Sequence, residues 1–262
     1  MTKKPSLRSA IHAEWIKTRA SRATAITLLL AAAFALGLGL LNTWSVTTHW
    51  ATMTIAERAA FDPVGDSYAG FELSQLCFAV IGVLAASSEY ASKMIDVTFV
   101  AVPSRTRVLA AKTIVVAALT LALGELYSFG TYAIGQLVLS REGLAVGLGA
   151  NGVLRAVASV GLYLAVVALV GVGLGALLRH SAAAIAAMFG LIFLVWPVAR
   201  ALESWSYIPD RLLLANAADI IGQAHAPADH ALRIPSLGQA YLLLGAYVLV
   251  ALGLGLWRIR RS

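Results

Sequence analysis

Glu125 stands in the middle of a long apolar run, and Ser128, Tyr132 and Gln136 follow it at i+3, i+7 and i+11. On a helix that spacing puts all four side chains on one face. An ionised carboxylate at mid-membrane depth costs ~3 kcal/mol on insertion scales, so Glu125 needs a partner, a wet cavity or a proton. The stripe therefore has two readings: the lining of a substrate path or inter-subunit seam, or a set of interhelical hydrogen bonds that fixes packing. Either way it faces protein or water. With Glu125 as a proton carrier the chain would be a self-sufficient secondary transporter, but no convincing internal repeat supports that alternative.

Other chemistry is missing from the sequence. It has no G-x-x-x-x-G-K-[ST] loop to cradle phosphate, no H-E-x-x-H or C-x-x-C pair for a metal, and no G-x-S-x-G nucleophile turn. His225, Asp229 and His230 are separated by Pro227, which breaks any helix that would align them as ligands. The lone cysteine, Cys77, lies in an apolar run and reads as a small packing residue. Catalytic residues, a metal site and a resident cofactor are therefore not expected in this chain.

The elements that hold the stripe belong to a membrane. Of the 262 residues 60% are hydrophobic and 13% charged, and the mean hydropathy is +0.81. A soluble domain carries about 25% charged residues, so the excess apolar surface must face lipid. Apolar runs of ~20 residues, enough to cross ~30 Å of hydrocarbon, predict an all-α polytopic protein. Six spans are expected, over 24–41, 71–88, 113–139, 153–178, 182–198 and 237–257, in one transmembrane domain covering 1–262. The missing amide of Pro197 is expected to end the fifth. With the N-terminus inside, fourteen Lys and Arg fall on the inner side and six on the outer, while Glu57, Asp62, Asp66, Glu142, Glu203, Asp210, Asp219 and Asp229 lie outside. That bias gives an N-in, C-in orientation. The net charge of +7 is then mostly a topology signal, and nucleic acid is not a partner. The first span reads as a signal anchor rather than a cleaved leader.

Three segments do not cross. Over residues 6–22, Leu7, Ile11, Trp15 and Ile16 recur at helical spacing beside Glu14, Lys17 and Arg19, as in a basic amphipathic helix lying along the inner surface. The inner loop 89–107 starts with a short helical pattern, ends at Pro103-Ser104, and is suited to passing force from a cytoplasmic protein to two spans. The outer segment 199–236 is too long for a turn and reads as short re-entrant or interfacial helices. Gly171, Gly173 and Gly175 allow close helix approach, with Gly37, Gly39, Gly253 and Gly255 as weaker versions.

This layout resembles the membrane permease subunit of ABC-2 type exporters, especially the small permeases common in actinobacteria. The motifs that carry the resemblance are Ala13-Glu14-Trp15-Ile16-Lys17-Thr18-Arg19, Ser88-Glu89-Tyr90 through Ala101-Val102-Pro103-Ser104-Arg105, and Val108-Leu109-Ala110-Ala111-Lys112. Lys93 and Asp96 depart from the family pattern, which usually has Gly and a basic residue there. The resemblance implies two paired permeases, identical or related, and separate ATPase subunits that bind ATP and Mg. It also implies a bacterial cytoplasmic membrane, and a coupling helix containing Glu89, Tyr90, Lys93, Met94 and Asp96, with Glu89 holding it in place. The implied function is ATP-driven export of a hydrophobic or amphipathic drug, antibiotic, lipid or peptide. A non-transporting sensor or immunity subunit that binds the same ATPase is a further alternative.

Overall fold

A computed structural model of the chain describes residues 6–91, 94, 104–201, 212–224 and 236–261. Helix α1, Leu7–Ala20, begins where the Ser6 hydroxyl accepts from the Ser9 amide, and Lys17 and Arg19 in its last turn complement the negative end of its dipole. Ser21 ends α1 and caps the next helix, α2 (Arg22–Ala32), by accepting from the Thr24 amide. A wide π turn at Ala33–Leu38 leads into α3, Gly39–His49. The first span is thus longer than the expected 24–41. Its polar continuation stays helical because Asn42 donates to the Asp66 carbonyl at 2.9 Å and Thr43 to the Gly39 carbonyl at 2.9 Å.

The chain continues as α4 (Ile55–Ala60), α5 (Phe71–Ala91), α6 (Arg105–Leu139) and α7 (Val153–Leu178). It ends with α8 (Ser181–Phe189), α9 (Val195–Ala201), α10 (Leu214–Gly222) and α11 (Leu237–Arg260). Among the described residues five helical stretches are long and apolar enough to cross a membrane: Arg22–Thr52, Phe71–Tyr90, Arg105–Glu142, Val153–Leu178 and Leu237–Arg260. Where the fifth of six spans was expected, Ser181–Leu194 is apolar but shorter. The helix does not break at Pro197. A π turn at Gly190–Leu194 has already interrupted the regular ladder, so Pro197 falls in the first turn of α9, where an amide has little to lose.

Helix α7 is the hub, with 78% of its most apolar window buried, against 17% for the first span and 22% for α11. Its glycines work on two faces. Gly171 and Gly175 lie against Ala79 and Val83 of α5, while Gly173, on the other side, lies against Ala251 and Gly255 of α11. Gly82 makes the converse contact, so close to the Ala168 carbonyl that a Cβ would overlap it. These backbone approaches bring three helices together without large side chains between them. The core then fills with Phe78, Val83, Tyr163, Leu164, Val167 and Met188, and Cys77 is buried among them. The buried side of α10, Leu214, Ala217, Ile220 and Ile221, closes one end of the bundle against α7 and α11.

Candidate functional site: an ion-paired junction at one end of the bundle

Four charged residues meet where α1, the end of α5 and the start of α6 converge. Lys112 Nζ lies 2.7 Å from Glu14 Oε2 and 2.7 Å from Glu89 Oε1. Lys17 Nζ lies 2.8 Å from Glu14 Oε1 and 2.8 Å from the same Glu89 oxygen. The signs alternate around a closed ring with no net charge. Glu14, Glu89 and Lys112 are buried, whereas Lys17 keeps part of its surface in solvent. Burial works against the Lys17 ammonium, but the carboxylates of Glu14 and Glu89 outweigh it and hold its pKa above the ordinary lysine value. Burial likewise works against the Glu89 carboxylate, but the Lys112 and Lys17 ammonium groups outweigh it and hold its pKa below the ordinary value.

The local sequence explains the convergence. Ala10 and Glu14, one turn apart, form the buried side of α1, and α1 packs mainly on α6. A small residue at Ala10 lets the helices approach, and the paired charges then satisfy each other in a site where Lys17 is the most exposed member. Leu7, Trp15, Ile16 and Arg19 remain exposed on the other sides of α1. One wall of a cavity of about 340 Å³ is made by the ring, and the remainder comes from Thr18, Ser21, Thr24, Ile81, Leu84 and Met94. Beside it, the Arg179 guanidinium stacks over the Tyr90 ring at 5.1 Å and donates to the Arg258 carbonyl at 2.9 Å. Arg105, at the start of α6, donates to the Ile259 carbonyl at 2.7 Å. The ends of α5, α6, α7 and α11 are thereby tied to one another at the point where the chain leaves α5 for the connection to α6.

A family model described as ABC-2 family transporter protein matches residues 10–196. The chain belongs to the ABC-2 transporter family. A comparison with curated proteins finds no match. The matched region contains the whole ion ring, and membership makes this ABC-2 permease a multi-pass membrane component of a transporter served by an ABC ATPase partner.

Of the coupling residues read from the sequence, Glu89, Tyr90 and Met94 are placed in the permease at this junction, while Lys93 and Asp96 lie outside the described residues. Lys112 is the member that sequence reasoning did not assign to the site: in the sequence it figures only as an inner-side charge and as the last residue of the motif Val108-Leu109-Ala110-Ala111-Lys112. The available signal was sign. Glu14 and Glu89 are acidic residues on the otherwise basic side, and charges that defy a topology bias invite a search for partners.

The stripe on α6 sits farther along the bundle. Ser128 donates to the Val157 carbonyl at 2.6 Å and its hydroxyl lies 3.0 Å from that of Tyr68. Tyr132 donates to the Val146 carbonyl. Gln136 donates to the Pro63 carbonyl at 2.7 Å and accepts from the Val146 amide at 2.8 Å. These three side chains fasten two loops and α7 to α6. Glu125 differs: it packs against Gly161, and its Oε2 is buried with no hydrogen-bond partner among the described residues.

Proposed function

We propose that this ABC-2 permease is the membrane half of an ATP-driven exporter, with both ends of the chain and the ion-paired junction on the cytoplasmic side of a bacterial plasma membrane. The observation that carries the reading is the ring itself. It joins the leading helix, the last turn of α5 and the first turns of α6 into one unit, at the two ends of the 89–107 loop. A push on that loop by an ATPase would reach two spanning helices and the surface helix together, because separating any pair exposes a buried charge. The exposed Leu7, Trp15 and Ile16 suit a helix lying at the lipid surface. ATP binding then acts by favouring one global state of the permease over another. The scarcely covered first span and α11 offer faces for a second permease copy. A hydrophobic or amphipathic cargo fits the apolar interior.

The test is co-expression with the partner ATPase. Wild type is expected to co-purify with it and to show substrate-stimulated ATP hydrolysis in liposomes. Glu89→Ala is expected to insert normally but lose that stimulation. Unchanged stimulation and transport in Glu89→Ala would remove the ring from the coupling path, and absence of any ATPase in pull-downs would end the exporter reading.

The unpartnered Oε2 of Glu125 is the one observation that favours proton-coupled transport instead. Transport that survives ATP depletion and collapses with the proton gradient would establish it.

A further inference from the structure

At the end of the bundle opposite the ion ring lies a second cavity, of about 280 Å³, between α10, the start of α5, α7 and the loop before α5. Its walls combine aromatic and apolar surface from Phe71, Val160, Tyr163 and Tyr68 with the carboxylates of Glu72, Asp219 and Asp62. No lysine, arginine or histidine lines it among the described residues. Arg155, the nearest cation from α7, is turned to the end of α10 and spends its guanidinium on the Ile221 and Gln223 carbonyls at 3.1 and 2.6 Å.

The carboxylates differ in their neighbours. Asp62 accepts from the Val64 amide at 3.0 Å and so caps its own loop. Glu72 accepts from Gln75, whose carbonyl oxygen accepts from the buried Tyr163 hydroxyl at 2.9 Å. Neither Glu72 nor Asp219 makes an ion pair among the described residues. Among the described residues the two acids have a single side-chain hydrogen bond, the one Glu72 accepts, and face no cation, so the described lining of the cleft carries negative charge beside aromatic surface.

An independent feature adjoins the cavity. A narrow recess of about 10 Å³ shares Tyr68, Phe71 and Val160 with it and is also lined by Ser74 and Thr131. Both residues are buried, at 0% and 3% exposure, and both hydroxyls lack a hydrogen-bond partner among the described residues. The recess has room for about one water-sized polar group. Leaving a buried hydroxyl unsatisfied costs about 1–3 kcal/mol, so two lining one recess beside the cleft point to an occupant with a polar atom there.

We propose that this cleft binds an organic ammonium compound, with the cation between Glu72 and Asp219, the apolar body against Phe71, Val160 and Tyr163, and a polar atom or its bound water reaching Ser74 and Thr131. The ammonium supplies a counter-charge that the described residues do not, and the body matches the walls. That the ligand is cargo rests on the exporter reading; that it binds does not.

The experiment uses the full chain in nanodiscs of zwitterionic phosphatidylcholine, which does not concentrate cations. Dansylcadaverine, a fluorescent primary ammonium, is titrated beside its uncharged N-acetyl derivative. Saturable binding of the ammonium, at least tenfold tighter than the acetylated probe, is expected. Asp219→Asn and Glu72→Gln should each weaken it at least tenfold. Equal binding of the two probes, or saturable binding of neither, overturns the proposal. So does wild-type affinity in the folded double variant, and if the variants do not fold, the two-probe comparison on wild type decides alone. No ATPase is present in this assay. Binding without ATPase co-purification would leave the site standing and remove the exporter, and the reverse result would do the opposite.

Discussion

Lys112 Nζ and Glu14 Oε2 lie 2.7 Å apart although the residues are 98 positions apart in sequence. Their contact fixes α1 to the start of α6, and Glu89 completes the site from a third element. Lys112 is nearly enclosed, and removing its charge strands two carboxylates in the same small volume. Breaking one side of a buried pair costs about 3–5 kcal/mol, whereas a partly exposed pair is worth about 1 kcal/mol or less. Lys112→Met should therefore lower the unfolding temperature in detergent sharply and Lys17→Met only slightly. Equal losses would mean that water reaches Lys112 as it reaches Lys17, and the ring would not be a buried unit.

Two members of the α6 stripe should respond in opposite directions. Gln136 satisfies Pro63 and Val146, so Gln136→Leu leaves those groups unmatched and should cost about 1–3 kcal/mol. Glu125 Oε2 has no partner to lose among the described residues, so Glu125→Leu should be at least as stable as wild type. Thermal unfolding checks both. Loss of transport in the stable Glu125→Leu variant would assign that carboxylate to the transport path, and normal transport would leave it a packing residue.

The run expected over 182–198 is apolar but forms a shorter helix; the other five of the six expected spans were legible because length and apolarity are properties of a window. Helix ends were less so. Asn42 and Thr43 look like loop residues until Asp66 and the Gly39 carbonyl accept from them, and Pro197 looks like a stop until the preceding π turn is seen. The ring was half legible: Glu14, Lys17 and Glu89 were singled out, but that they meet one another and Lys112 depends on α1 folding back over α6. Asp219 and Glu72 are 147 positions apart, and only the seat of α10 on α7 puts them in one cleft.

Close helix approach at Gly82 should not tolerate a side chain. A Cβ there meets the Ala168 backbone, which cannot yield without moving α7. Gly253, in contrast, has nothing within 4 Å of a built Cβ. Gly82→Ala should fail to give a monodisperse protein or should unfold well below wild type. Gly253→Ala should be neutral or stabilising by up to about 1 kcal/mol, from helix propensity. Size-exclusion profiles and unfolding temperatures separate the two cases, and equal tolerance would refute the packing described for α5 against α7.

Asp219 should make stability depend on pH in a defined direction. Burial first and the nearby Glu72 second raise its pKa from 3.8 to about 6. The folded protein therefore holds this proton more strongly than the unfolded chain. As pH rises from about 4 to about 6 the unfolded state ionises first, and the folded state loses relative stability. Asp219→Asn removes that penalty, so its unfolding temperature should exceed wild type at pH 7.5, with the gap closing toward pH 4.5. Among the described residues the titratable groups facing Asp219 are Glu72 on α5, Asp62 and Tyr68 in the preceding loop and Tyr163 on α7; every group but Asp219 is common to both proteins, so the difference between the two pH profiles isolates Asp219. A gap that widens on acidification would mean that Asp219 is stabilised as the anion by a cation in the cleft, and the negative charge of the described lining would not stand unopposed.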